Sequence, residues 1–378
     1  MSVASVTPAS RETRSLHARD RRASTQALAL AGGVALLLAG LGGFALLSLP
    51  EPDPAAEPRE PLDGVPDEVD YVGYLDAGEY RSDDDAELAT RRALRFQSLV
   101  QFYDGPPFRD SFALGIRDSE LDSTAAREVT YFGRHNSSYE ARLVVGNWCA
   151  AELAAAVEAD ANVTLDATEV NGTTLYRGGG LAVARLGNDS NATVLAVGNE
   201  TAVRDALDVT GGGAEGVVGP LRSEFEERSG YVRFAYRFRP FRVPNYPFVG
   251  EAVESVEYVS SEYALNRSAG GASGTATAGP ASANATVRVR IDITTADSTS
   301  ARDVRTIMNA GVTFYRVESG NDTLRDELAR VELPDVEGRT VSLRYESTPS
   351  GLRVLVRGLF RNQPEPSGRL VVERGVGA

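Results

Sequence analysis

Lysine is absent from the 378 residues: all 39 basic side chains are arginine. Cysteine occurs once, at Cys149, and histidine twice, at His17 and His135. One thiol allows no intramolecular disulfide. A Cys/His zinc centre or a Cys–His catalytic pair lacks ligands or partners unless Cys149 and His135 converge in the fold. The plainer expectation is that Cys149 is a small buried hydrophobe beside Trp148 and His135 an exposed polar ring. No G-x-S-x-G segment is present to place a serine nucleophile. The glycine runs Gly178–Gly180 and Gly211–Gly213 lead into neither Gly-Lys-Ser/Thr nor a G-x-G-x-x-G helix start, so they read as turns or helix stops. Any catalysis would fall to Asp, Glu, Ser, Tyr or Arg. The sequence nominates no catalytic, cofactor-binding or metal-ligating residue, and no cofactor.

What is abundant is acid. The chain carries a formal charge of −14. Beyond residue 50 the balance is 51 acids against 34 arginines, a net of −17. Charge this far from zero keeps a protein soluble in concentrated salt at the expense of self-repulsion in dilute salt, which is the signature of a halophile. An arginine-for-lysine bias is also what a high-GC genome produces. The acidity argues against nucleic acid as a partner.

Between Arg22 and Glu51 stand 28 residues without a formal charge, and Ala27–Leu49 is almost wholly apolar. About 20 such residues span a bilayer. Arg11, Arg14, Arg19, Arg21 and Arg22 precede the run, while Glu51, Asp53, Glu57 and Glu60 follow it. The expectation is therefore a single transmembrane helix over residues 25–49, with residues 1–24 cytoplasmic and the C-terminal bulk outside the cell. A cleaved signal peptide is the competing reading, although its apolar region is usually shorter. Of 13 asparagines, nine begin N-x-S/T: Asn136, Asn162, Asn171, Asn188, Asn191, Asn199, Asn266, Asn284 and Asn321. Together they describe exposed loops of a surface domain that would carry N-glycans where the host has the machinery.

Residues 50–66, with six prolines among acids and alanines, read as an extended stalk. Alternation then places strands at Val69–Asp76, Glu128–Arg134, Tyr139–Gly146, Val163–Val170, Thr173–Arg177, Leu181–Leu186, Thr193–Val197, Tyr231–Arg239 and Thr286–Thr294. Helical spacing falls at Asp84–Tyr103, Cys149–Ala159, Glu200–Asp208, Ser300–Val317 and Asp322–Arg330. Val163–Arg177 and Val331–Tyr345 share a strand, Gly-centred turn, strand pattern. The expected fold class is α+β, with a first unit over 67–240 and a second, related unit over 241–360, each an antiparallel sheet with helices on one face. Convergence on the same strand–turn–strand grammar is the alternative. Ala269–Ala285 reads as a Gly/Ala/Ser/Thr-rich loop and 361–378 as a flexible tail.

The arginine-rich start, single span, acidic stalk and the run Leu195-Ala-Val-Gly-Asn-Glu-Thr-Ala-Val-Arg-Asp-Ala-Leu-Asp208 together resemble the uncharacterised membrane-anchored surface proteins of halophilic archaea. The resemblance implies a location and no catalytic residues.

Two clusters remain. Arg233, Arg237 and Arg239 share one face of the strand Tyr231–Arg239, opposite Phe234, Tyr236 and Phe238, and Arg242 follows. They form a candidate anion-binding set for a glycan or for a partner's carboxylates, against the alternative of a solvated face paired with the domain's own acids. Asp83, Asp84, Asp85 and Glu87 supply hard oxygen ligands, but acids at a helix start favour the helix dipole without a metal. Two functional classes follow. One is a non-enzymatic envelope binding or structural protein with a cell-surface protein or glycan as partner. The other is a carboxylate-dependent glycan-acting enzyme, which needs two acids about 5–10 Å apart in a cleft.

Overall fold

The structure is a computed structural model that describes residues 60–76, 126–135, 137–189, 192–239, 247–267 and 285–360. The segment expected to span the membrane, the Asp83–Glu87 cluster with its helix, Arg242 and the tail 361–378 lie outside the described residues, as do Asn136, Asn191 and Asn284. Among the described residues no helix is long and apolar enough to cross a membrane.

Twelve strands are described: β1 (Tyr71–Asp76), β2 (Ala126–Gly133), β3 (Glu140–Gly146), β4 (Asp166–Val170), β5 (Thr173–Gly178), β6 (Leu181–Asp189), β7 (Ala192–Asn199), β8 (Val232–Arg237), β9 (Val256–Arg267), β10 (Ala285–Thr295), β11 (Val331–Glu332) and β12 (Thr340–Ser347). The helices are α1 (Ala150–Ala161), α2 (Glu200–Thr210), α3 (Gly219–Glu226), α4 (Pro247–Glu254), α5 (Ser298–Glu318), α6 (Asp322–Leu328) and α7 (Pro349–Phe360). The α+β class holds.

All twelve strands belong to one sheet, in the order β11-β12-β10-β9-β8-β1-β2-β3-β7-β6-β5-β4. Neighbours pair antiparallel throughout. The strand expected to close a first unit, β8, lies at the centre, hydrogen-bonded to β1 on one side and β9 on the other. In each half a three-strand meander (β1-β2-β3, β8-β9-β10) is followed by a helix (α1, α5). A later strand (β7, β12) then returns to pair with the third of the meander, and a further helix follows (α2, α7). The two segments of similar pattern, Val163–Arg177 and Val331–Tyr345, contain the hairpins β4–β5 and β11–β12, at opposite edges of the sheet.

Helices cover both faces, contrary to the one-face expectation. The reason is visible in the strand β1, which is apolar on both sides: Tyr71 and Leu75 join one buried cluster, Val72 and Tyr74 the other. The first cluster takes Leu153 and Val157 of α1, Val249 and Val253 of α4, Val304 and Met308 of α5, Leu324 of α6 and Leu352 of α7. The second takes Ala202, Val203 and Ala206 of α2 with Leu221 and Phe225 of α3. A strand buried on both faces needs two layers above and below it. Past β8 the second face turns polar, with Ser260 and Glu262 on β9 and Asp292 and Thr294 on β10. There α3 is held by polar contacts: Glu224 accepts from Ser260 Oγ at 2.8 Å and from Thr294 Oγ1 at 2.5 Å.

The segment expected to be stalk also needs correction at its C-terminal end. Leu62 and Val65 are buried in the second cluster, and Val217 N–H donates to the Val65 carbonyl at 2.9 Å. The packed part of the chain therefore reaches back at least to Leu62. The glycine runs act as read. Gly179 and Gly180 turn β5 into β6 with φ of 59° and 81°, and Gly211 caps α2 before Gly212 at φ 72°.

Candidate functional site

Along β8 the side chains alternate as the sequence spacing requires. Phe234, Tyr236 and Phe238 enter the first apolar cluster, and the arginines take the opposite face. The arginines then separate. Arg233 is packed away: its guanidinium lies 4.8 Å from the Tyr74 ring centroid and 4.9 Å from that of Phe225, and Nη1 donates to the Arg228 carbonyl at 2.7 Å. Burial there lowers its proton affinity from the usual value. Arg237 and Arg239, two residues apart and about half exposed (48% and 52%), line a cleft instead.

That cleft, of about 510 Å³, sits where the β1 and β8 ends meet the β2–β3 turn. Asp67, Glu68 and Asp70 enter it from the segment before β1, Arg134, His135 and Ser137 from the turn, and Val218, Pro220 and Leu221 from the start of α3, with Tyr258 from β9. Its organising group is Asp70, whose side chain is 10% exposed. Oδ1 pairs with Arg239 Nη2 at 2.9 Å and with Arg237 Nη1 at 3.5 Å, while Oδ2 accepts from the His135 backbone N–H at 3.0 Å. One carboxylate with two guanidinia carries a net formal charge of +1.

His135 is buried at 7% exposure, its ring between Tyr71 and Tyr236 with centroids 5.9 and 6.5 Å away. Its Nε2 lies 2.6 Å from the Arg237 carbonyl oxygen, a contact that requires the proton on Nε2. The ring thus fixes the backbone of the arginine that faces the cleft. Cys149 is an exposed N-cap of α1, its backbone N–H donating to Glu152 Oε2 at 2.8 Å, while Trp148 beside it is the buried one. The exposures expected for His135 and Cys149 are reversed. The helix claims Cys149 as a cap, and the strand ends claim His135 as a tie.

Arg134 is bound to Glu68 through Nε to its carbonyl at 2.6 Å and Nη2 to Oε2 at 2.8 Å, and it stacks over Tyr139 at 4.1 Å. Tyr139 in turn donates to Asp205 Oδ2 of α2 at 2.6 Å, a bond that together with burial raises its proton affinity. Asp67 Oδ1 accepts from Val218 N–H at 3.2 Å, at the start of α3, whose N-cap position has no side-chain capping bond. Among the described residues no group of three or more His, Cys, Asp or Glu is arranged to hold a metal ion.

Of the described sequon asparagines, Asn162, Asn171, Asn266 and Asn321 are exposed. Asn199 is half-buried, and its Oδ1 accepts from Thr201 and Ala202 N–H as the cap of α2. Asn321 caps α6 through Leu324 N–H. Asn188 lies at the far end of β6.

The cleft draws on Asp67–Asp70, Arg134–Ser137 and Arg237–Arg239, segments far apart in the chain, and of these only the β8 arginines were visible as a local pattern. No family model and no curated protein matches the chain. Among solved structures, crystal forms I and III of TP0453 share 9% identity and a TM-score of 0.37, covering 80% and 79% of this chain and 98% of theirs. At that TM-score the likeness carries no argument about fold or function.

Proposed function

We propose that this chain is a non-enzymatic envelope protein of a halophile, anchored by residues 25–49, N-glycosylated, and binding an anionic surface component in the cleft between the two halves of its sheet. The observation that carries the binding reading is the Asp70–Arg237–Arg239 set. A buried acid holds two half-exposed guanidinia side by side, and short-range, charge-assisted hydrogen bonds of this kind keep their strength in concentrated salt, where the Debye length shrinks to about 3 Å at 1 M. The surface location is supported by the arginine-flanked apolar run and by the exposure of Asn162, Asn171, Asn266 and Asn321.

Glycan hydrolysis is less well supported. It needs one acid whose proton affinity is raised and a second facing it across open space. In the cleft Asp70 is bound by two arginines, Glu68 by Arg134 and Asp67 by a backbone N–H.

We also read the two halves as related units, one running from the β1 meander to α2 and the other from the β8 meander to α7. The matching element order and the antiparallel β1–β8 seam between them support this.

External protease on intact host cells, with a tag at each end, tests the topology. The C-terminal tag should be lost and the N-terminal tag should survive on a membrane-bound stub of the expected size. Protection of the C-terminal tag until lysis would overturn the surface reading.

A further inference from the structure

We infer that the ligand of the cleft is an acidic sugar, a pyranose bearing a single carboxylate, presented by a surface glycan. This rests on the reading of the cleft as the binding site and concerns what fills it. Three features of the lining select the class.

The first is charge. Asp70, Arg237 and Arg239 sum to +1 and match one negative charge. A phosphate monoester with nearly two charges would over-neutralise them beside Asp67 and Glu68, which line the same space. The planar fork of an arginine suits a carboxylate in a two-bond contact. Each guanidinium engages Asp70 through one terminal nitrogen, and neither Nε has a hydrogen bond among the described residues.

The second is the supply of acceptors. A sugar ring carries hydroxyls that donate as well as accept. Asp67 uses Oδ1 for Val218 N–H, and Ser137 Oγ accepts from Tyr139 N–H at 3.0 Å, leaving Asp67 Oδ2 and the Ser137 hydroxyl proton to meet hydroxyls. Monohydrogen phosphate has a single O–H to offer such an acceptor, whereas a sugar ring has several.

The third is the apolar wall. Tyr258, Val218, Pro220 and Leu221 also line the cleft, Tyr258 as the cross-strand partner of Arg237, and Val218 is one of only two large hydrophobics that stand exposed among the described residues, at 52%. A pyranose has an apolar C–H face that packs on such a wall, whereas a bare carboxylate or phosphate does not. A volume of about 510 Å³, open on one side, suits one or two sugar rings of a longer chain.

The experiment is calorimetric titration of the full chain, purified from host membranes in detergent at molar salt. The probes are methyl glucuronide, methyl glucoside and inorganic phosphate. The glucuronide is expected to bind roughly tenfold or more tightly than either of the others. Arg237→Ala and Arg239→Ala should each weaken it about tenfold, Arg239→Lys by less, and Tyr258→Ala by a few-fold. Arg344→Ala, on an exposed position of β12, should leave it unchanged. Circular dichroism at the same salt shows that each variant is folded. Equal binding of glucoside and glucuronide, or glucuronide binding indifferent to Arg237 and Arg239, overturns the assignment. Phosphate binding lost in the arginine variants without glucuronide binding would sink the sugar and leave the anion cleft standing. Binding of no probe by the folded wild-type chain would sink both.

Discussion

Arg228 and Asp292 face each other 2.6 Å apart on the polar side of the sheet, and each side chain is only 1% exposed. Arg228 follows α3 and Asp292 lies in β10, so the pair ties the segment that joins the two halves to a strand of the second. Arg290 also reaches Asp292 at 2.8 Å, and Arg233 takes the Arg228 carbonyl. Removing Asp292 leaves the buried Arg228 with only Glu227, at 3.2 Å, as an ionic partner, and removing Arg228 leaves the buried Asp292 with only Arg290. Asp292→Asn and Arg228→Met are each expected to cost about 3–5 kcal/mol, and the double replacement by apolar residues less than the sum of the two. Denaturant unfolding at fixed salt measures this. A single variant costing under about 1 kcal/mol would show that the pair is not structural.

Gly178 ends β5 where a Cβ would stand 1.9 Å from the Thr164 carbonyl oxygen, against backbone that cannot swing away. Gly178→Ala should therefore destabilise by more than about 2 kcal/mol and loosen the β4–β5 hairpin. Gly187, at the bulge in β6, has open space where its Cβ would go, so Gly187→Ala should change the melting point little. Equal melting points for the two variants would contradict the close approach at Gly178.

Stability should fall on both sides of neutrality for different reasons. Tyr71, Tyr74 and Tyr345 are buried, and desolvation is the main reason their proton affinities rise far above the ordinary phenol value. Their contribution is complete below the unfolded pKa of about 10 and is lost progressively as pH rises beyond it, because the unfolded chain ionises first. Glu200 behaves oppositely. The hydrogen bond from Arg177, with help from Arg204, depresses its pKa, so its contribution holds above the unfolded carboxylate value and is lost as pH falls through the folded one. Thermal melts from pH 3 to 11 at constant ionic strength should show a plateau with both flanks. Tyr345→Phe should weaken the alkaline flank.

Glycan occupancy should follow side-chain freedom. Asn162, Asn171 and Asn266 are exposed, whereas Asn199 is half-buried in the cap of α2. Peptide mapping of protein from the native host is expected to find Asn199 the least occupied of these four. Thr201→Val removes that sequon without touching the cap. It should leave the mass of the protein nearly unchanged, while the corresponding Ser268→Ala change at Asn266 should lower it by one glycan.

Much of the fold was legible because local periodicity decides it. The strand expected at Tyr139–Gly146 is β3 at Glu140–Gly146, and the helix expected at Ser300–Val317 is α5 at Ser298–Glu318. The latter starts at the Asp297 side chain, which accepts from Thr299 and Ser300 N–H. What escaped was decided at long range. No helix was expected at Gly219–Glu226, a short segment with Pro220 inside it, yet Leu221 and Phe225 find an apolar sheet face there and Glu224 finds two hydroxyls. Nor did the sequence indicate that β1 would be buried on both sides, since that depends on which strands flank it. In the cleft the arginine face of β8 was readable from alternation. The partner that organises it, Asp70, looked like an ordinary polar position of the strand expected at Val69–Asp76, and nothing local marked His135 as buried.

The seam between β1 and β8 has a consequence for how the chain is made. β1 is the first described strand, and one of its hydrogen-bonding edges is filled only by β8, which follows everything from β2 to α3 in sequence. A ribosome or translocon delivering this chain from its N-terminus leaves the middle of the sheet as an open edge until the second half arrives. Such an edge invites pairing with the wrong chain. Sequons from Asn136 to Asn199 all emerge during that interval. Sugars attached then would meet an incompletely closed sheet and stand as a steric guard while its central seam waits for its other side.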